Sequence, residues 1–95
     1  MIASFSIVPL DKGESVSEYV ALCYSLVEKS GLPHRLTPMA TVVEGDHDSV
    51  MALISHCHLA VRKVSNRVIT RIDIDDRADC QDALHHKVES VLARI

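Results

Sequence analysis

The chain has 95 residues, 47% of them apolar, with a formal net charge of −3. That length is one domain, and the apolar share is enough for a packed core and excludes a disordered chain. Scattered Lys and Arg in an acidic chain argue against a nucleic-acid binder, which presents a basic face, and no run of about eighteen apolar residues is present to span a membrane.

Residues 1–95 therefore read as a single domain, small enough for oligomerisation to be a natural way of adding buried surface. Met1-Ile2-Ala3-Ser4-Phe5 lacks a basic n-region and a cleavage site, which predicts a cytoplasmic protein. Cys23, Cys57 and Cys80 cannot all pair within one chain, and their spacing fits no metal or redox motif. Reduced thiols are expected.

Ile2 to Leu10 predicts a strand, with Ala3, Phe5 and Ile7 alternating with Ser4 and Ser6. Pro9 and the Asp11-Lys12-Gly13 turn end it. Ser15-Val16-Ser17-Glu18 is a capping box, in which a hydroxyl and a carboxylate satisfy free helix N–H groups. The stripe Val16, Tyr19, Val20, Cys23, Leu26, Val27 then has helical spacing, and Gly31 supplies a left-handed cap. A short strand, His34 to Thr37 with Leu36 inward, passes through Pro38-Met39 to a second, Ala40 to Glu44. Asp46 or Asp48 caps the next helix, whose stripe is Val50, Leu53, Ile54, Cys57, Val61, Val64. Val68 to Asp75 is the fourth strand. A polar turn from Asp76 to Asp79 leads to a last helix with the stripe Leu84, Val88, Val91, Leu92, Ile95. Asp79 and Asp82 near its start suit the helix dipole.

The order β-α-β-β-α-β predicts an α+β, ferredoxin-like fold: an antiparallel sheet with helices on one face, here with an additional C-terminal helix. Strand parity assigns Ser4, Ser6, Arg35, Thr37, Thr41, Val43, Ile69, Arg71 and Asp73 to the uncovered sheet face, with Ala40 and Val42 inward. Such a mixture suits either a sheet-to-sheet interface or a small-molecule site built from hydroxyls and a carboxylate.

Other clusters carry less. In His56-Cys57-His58 the two histidines sit at i and i+2 on a helix and diverge, so no metal site is expected; His85-His86 diverge likewise. Asp73-Ile74-Asp75-Asp76-Arg77 lacks the ligand spacing and the glycine of a calcium loop. Cys80, near a helix start, has no His or second Cys placed beside it, and no paired nucleophile and base can be named, so no enzyme is expected.

Several segments together resemble the thiamine-binding protein family. They are Ser6-Ile7-Val8-Pro9-Leu10, Ser17-Glu18-Tyr19-Val20-Ala21, Ser30-Gly31-Leu32, Thr37 through Gly45, Arg71 through Arg77, and Lys87-Val88. The resemblance spans nearly the whole chain and is strongest at Thr37-Pro38-Met39-Ala40-Thr41-Val42-Val43-Glu44-Gly45. It implies a ferredoxin-like homodimer or homotetramer, joined through its sheets, that binds thiamine or its hydroxymethylpyrimidine half without catalysis, as a carrier, buffer or salvage protein. No resident cofactor, metal or nucleic acid is expected. Thiamine's aminopyrimidine offers an amino donor beside ring-nitrogen acceptors, and its thiazolium is a fixed cation that a carboxylate favours. The candidate ligand-binding residues are then Ser6, Thr37, Thr41 and Asp73, with Met39 laid against a ring through its sulfur. Glu44 is a further candidate anion, although its parity assigns it to the helix side. The chain has no Trp, one Phe and two Tyr, and Phe5, Tyr19 and Tyr24 read as core or interface residues. The alternative is an oligomeric structural or regulatory module that uses the open sheet face for a protein partner or another metabolite.

Overall fold

A computed structural model of the chain describes residues 1–14, 16–78 and 82–95. Ser15 of the expected capping box, Asp79 and Cys80 lie outside the described residues. Strand β1 (Ile2–Pro9) buries Ala3, Phe5, Ile7 and Pro9 and half-buries the residues between them, as a period of two requires. Helix α1 (Ser17–Ser30) starts after Val16, whose carbonyl accepts from the Tyr19 and Val20 N–H groups. Gly31 stops it at φ 75°, a conformation that costs glycine no Cβ clash.

Strands β2 (His34–Leu36) and β3 (Thr41–Glu44) form a hairpin. Helix α2 (His47–Arg62) is capped by Asp46, whose carboxylate accepts from the Ser49 N–H at 3.0 Å. Strand β4 (Val68–Asp75) and helix α3 (Ala83–Leu92) complete the chain. The sheet order is β2-β3-β1-β4 with every neighbouring pair antiparallel. Each β-α-β unit is thus split by a strand of the other, which is the ferredoxin-like plan, and α3 is an addition to it.

The core lies between the sheet and α1 and α2. Phe5, Val27, Val43, Val50, Ile54, Cys57 and Val61 pack there, each such large side chain contributing about 1.5–3 kcal/mol on burial. Cys23 and Cys57 meet where the two helices touch, each Sγ lying 3.7–3.9 Å from the other's carbonyl oxygen. Both are free thiols, and the hydrogen bond between them, with burial, holds the Cys57 thiol well above its ordinary pKa. His58 Nδ1 is 2.7 Å from Thr70 Oγ1 and ties α2 to β4, while Cys57 points into the core and His56 is exposed. The three residues therefore diverge, as helical spacing requires.

Register overturns the parity read for β3. Ala3 stands opposite Val43 and Phe5 opposite Thr41, and residues directly opposite share a face. Thr41 and Val43 therefore face the helices and are buried, whereas Val42 lies on the open face beside Ser4. Glu44 changes sides too, to the open-face parity opposite Ile2. Both parities of this strand are apolar, so the pattern cannot choose between them, and a shift of one residue inverts every side chain.

Helix α3 docks by its first turn. The Glu44 carboxylate accepts from the Ala83 N–H at 2.6 Å and the Leu84 N–H at 3.4 Å. It thereby satisfies two of the donors that a helix start leaves open. Asp82, at φ 59°, spends its carboxylate on His85 instead. The predicted stripe is present, but Val88, Val91, Leu92 and Ile95 are exposed, and only Ala83 and Leu84 are buried.

Asp11 closes the end of the sheet. Its carboxylate accepts from the Ser65 hydroxyl and, at 2.9 Å, from the Asn66 N–H, joining the β1–α1 loop to the α2–β4 loop. These bonds hold its pKa below the usual carboxylate value. A depressed folded pKa gives stability that is complete above the unfolded pKa, about 3.9, and is lost as pH falls through the lower folded value. Asp11→Asn should accordingly have a lower urea midpoint than the parent at neutral pH, with the two converging in acid. Equal midpoints at neutral pH would remove the latch from the account.

Candidate ligand-binding cleft

β1 is eight residues long and β3 only four. β4 accompanies β1 from Ile2 to Pro9, but β3 accompanies it only from Ile2 to Phe5. Among the described residues, one side of β1 has no strand beside it from Ser6 onward.

The turn before β3 is the cause. The Thr37 N–H donates to the Ala40 carbonyl at 2.9 Å. The Thr37 hydroxyl donates to the same carbonyl at 2.8 Å and accepts from the Ala40 N–H at 3.1 Å. A threonine that bonds its own turn in this way competes with the strand ladder, and the hairpin closes before it can cover Ile7. Helix α1 roofs the gap with Val16, Val20 and Cys23.

The result is a cleft of about 210 Å³ through the sheet layer, walled by β1 from Phe5 to Val8, the start of α1, and Leu36 to Thr41. Four of the six sequence-predicted site residues line it: Ser6, Thr37, Met39 and Thr41. They play unequal parts. Met39, 87% exposed, stands on the rim. The hydroxyl proton of Thr37 is committed to the turn. Thr41 is only 7% exposed, and among the described residues neither its hydroxyl nor that of Ser6 has a hydrogen-bond partner. No buried side-chain polar atom is left unsatisfied among the described residues, so the Thr41 oxygen opens on the cleft rather than on the dry core. Thr41 reaches the cleft from the helix side of the sheet and Ser6 from the other, because the cleft passes through the layer that separates them.

The two carboxylates are elsewhere. Glu44 is the cap of α3. Asp73 faces Ser4 across the β1–β4 ladder, in a shallow hollow with Ile2, Val42 and Asp75, and the residue opposite Ser6 is Arg71. Sequence reasoning missed the apolar wall of Val16, Val20, Cys23 and Leu36. One signal for it was present: Pro9 lies in an interior strand of the sheet, and proline is tolerated in a sheet only where its absent N–H has no neighbour to serve.

A further hollow of about 290 Å³ lies between the start of β1 and α3, lined by Met1, Asp75, Arg77, His86, Lys87 and others. Lys87 bridges to Asp75 there at 2.6 Å, which holds the Asp75 carboxyl below its usual range. No group of three or more His, Cys, Asp or Glu side chains placed to hold a metal occurs among the described residues. No helix among them is long and apolar enough to cross a membrane.

The sheet of this ferredoxin-like domain is thus interrupted by an apolar, hydroxyl-edged cleft. Residues 3–92 match the model of the thiamine-binding protein family, and the chain belongs to that family. It is 33% identical over 91 residues to the UPF0045 protein MJ1052 of Methanocaldococcus jannaschii, covering 96% of this chain and 91% of that one. The crystal structure of that protein superposes with a TM-score of 0.89 over 95% of this chain and 93% of its own. UPF0045 protein YqgV of Bacillus subtilis is 38% identical over 96 residues, 95% of this chain and 92% of its own. A Thermotoga maritima protein with a proposed part in thiamine biosynthesis or salvage has the same fold, with a TM-score of 0.81 at 20% identity over 95% of this chain and 96% of its own.

Proposed function

We propose that the chain binds the hydroxymethylpyrimidine half of thiamine, free or as part of the vitamin, in the cleft between Ser6 and Thr41. It acts as a non-catalytic carrier, buffer or salvage protein in the cytoplasm. Membership of a thiamine-binding family supports the ligand class. The observation that carries the site is Thr41, a residue only 7% exposed, whose hydroxyl has no partner among the described residues and opens on an apolar cleft. Pockets for drug-sized ligands run to about 300–1,000 Å³; this one, at about 210 Å³, suits one ring rather than two. With Glu44 and Asp73 outside the cleft and Arg71 opposite Ser6, no carboxylate among the described lining residues favours the thiazolium cation there. Hydroxymethylpyrimidine is then expected to bind at least as tightly as thiamine. The free, mutually bonded thiols of Cys23 and Cys57 suit a reducing compartment.

Calorimetric titration with hydroxymethylpyrimidine, thiamine and thiamine diphosphate tests this. Saturable binding near one pyrimidine per chain is expected, with the diphosphate weakest. Absence of heat and of a thermal shift with all three sinks the proposal.

Assembly through the open sheet face is the second part of the reading. Arg35, Val42, Ser4 and Asp73 form one row across all four strands. A two-fold axis along the strands sets Arg35 of one copy over Asp73 of the next, with Val42 and Ser4 between, so the row complements itself. Light scattering at micromolar concentration should give a dimer or a multiple of it, and the assembly should loosen on Arg35→Glu. A monomer at that concentration removes this part and leaves the cleft untouched.

A further inference from the structure

The sheet leaves one residue of β1 with its backbone unclaimed. The Leu10 N–H donates to the Arg67 carbonyl at 2.9 Å, in register with the β1–β4 pairs. Antiparallel partners alternate between pairs that exchange both backbone bonds and pairs that exchange none. Even-numbered residues of β1 therefore turn their N–H and C=O toward β4, and odd-numbered ones turn theirs the other way. On that other side the Gly45 N–H donates to the Met1 carbonyl at 3.0 Å, and Ala3 and Phe5 face Val43 and Thr41.

Ile7 is next in the series. Register puts Met39 opposite it, but Met39 is folded into the turn, with its N–H 3.4 Å from Thr37 Oγ1. Among the described residues the N–H and C=O of Ile7 thus have no partner, and Ile7 lines the cleft. Pro9, the next residue with this orientation, has no N–H to offer. Among the described residues the open edge thus offers one donor, at Ile7, and the carbonyls of Ile7 and Pro9, too short a run to seat an added strand.

We infer that the bare strand edge at Ile7 is the specificity element of the cleft: its N–H donates to a ring nitrogen and its C=O accepts from the amine on the adjoining carbon of an aminopyrimidine lying in the plane of the sheet. This rests on the ligand reading above and deepens it. The N–H and C=O of one strand residue stand side by side because in a ladder they serve a single partner residue. A donor–acceptor pair in that arrangement matches a ring nitrogen beside an amine, as an Asn or Gln amide matches adenine. The ring then occupies the place where β3 would have continued. Thr41 and Ser6 approach from the two faces of the sheet, and Val20 and Cys23 of α1 lie over the ring. Recognition by the ring's edge needs no stacking platform, which fits a chain with no Trp and a single Phe. The ligand class is a planar heteroaromatic with an amine next to a ring nitrogen; groups on the far edge are free to vary.

The test uses the intact protein and three probes. The first is hydroxymethylpyrimidine, the second its analogue with two methyl groups on the amine, and the third the pyridine analogue with carbon in place of the ring nitrogen beside the amine. Each analogue loses one of the two bonds and is expected to bind about 10- to 100-fold more weakly. Amide hydrogen exchange followed by NMR should show the Ile7 N–H slowed at least about tenfold by saturating hydroxymethylpyrimidine, as for any amide moved from an open to a bonded state. If hydroxymethylpyrimidine binds but the Ile7 amide is unchanged, or both analogues bind as well as the parent, the strand-edge assignment is wrong and the ligand reading survives. If hydroxymethylpyrimidine itself does not bind, both fall. Ile7→Pro removes the N–H but also a core side chain, so the analogues and the exchange rate carry the decision.

Discussion

Replacing Thr41 by Val should weaken hydroxymethylpyrimidine binding about 10- to 100-fold, the equivalent of about 1–3 kcal/mol for a buried bond left unmade. Val has the shape of Thr without the hydroxyl, so the wall of the cleft keeps its form. Stability should be unchanged or raised, because the hydroxyl has no protein partner among the described residues to lose and lies in a site that is 7% exposed, where an apolar group is the cheaper occupant. Titration calorimetry with a thermal melt separates the two effects. Unchanged affinity in a folded Thr41→Val protein would exclude the hydroxyl from the site. Asp73→Asn is the control: on the open face opposite Ser4, it should leave pyrimidine affinity as it is.

The second large effect is expected at Glu44, and it concerns stability. Glu44 is 7% exposed, and its carboxylate holds the first turn of α3 by two N–H groups. Glu44→Ala leaves those donors open and vacates buried space, at a cost of about 2–3 kcal/mol. For a domain of this size that lowers Tm by about 10–20 °C if unfolding stays two-state. Helix α3 has little else to hold it: Ala83 and Leu84 are its buried residues, with the Lys87–Asp75 bridge outside. Its amides should lose protection first, and helical circular dichroism should fall before the main transition. Glu44→Gln, which keeps a neutral acceptor, should fall between parent and Ala. A Glu44→Ala protein with the parental midpoint and a fully protected α3 would contradict the capping role. The same residue was a candidate ligand for a cation by its position at a strand end; its bonds to the α3 backbone give it other work.

Glu44 and Thr41 show how far local pattern reaches. Strands β1 and β4 were legible side by side, since Ala3, Phe5 and Ile7 alternate with polar neighbours and Arg71 and Asp73 mark the outer face. Strand β3 was legible as a strand but not in its orientation, since Ala40, Val42, Thr41 and Val43 offer no contrast between faces. Thr41 nevertheless belongs to the cleft, though from the opposite side of the sheet to that inferred. Strand parity and the chemistry of the expected ligand named Ser6 and Thr37, and both line the cleft; the alternation of β1 put Ser6 on the open face. The apolar stripe of α3 was readable, but Val88, Val91 and Leu92 stay exposed.

By itself the sequence determined the order of elements, the cap at Gly31, the start of α2 at Asp46 or Asp48, the inward face of β1 and the family. Each of these is written in contiguous residues, as a period, a cap or a turn. Tertiary structure alone decided which face of β3 is buried, which carboxylate caps α3, and that β3 ends two residues short of facing Ile7. These depend on register between strands nearly forty residues apart, as Ala3 with Val43, and on a bond between Glu44 and a helix 39 residues further on. No local pattern records such long-range pairings, because their free energy exists only once distant segments share a sheet or a core.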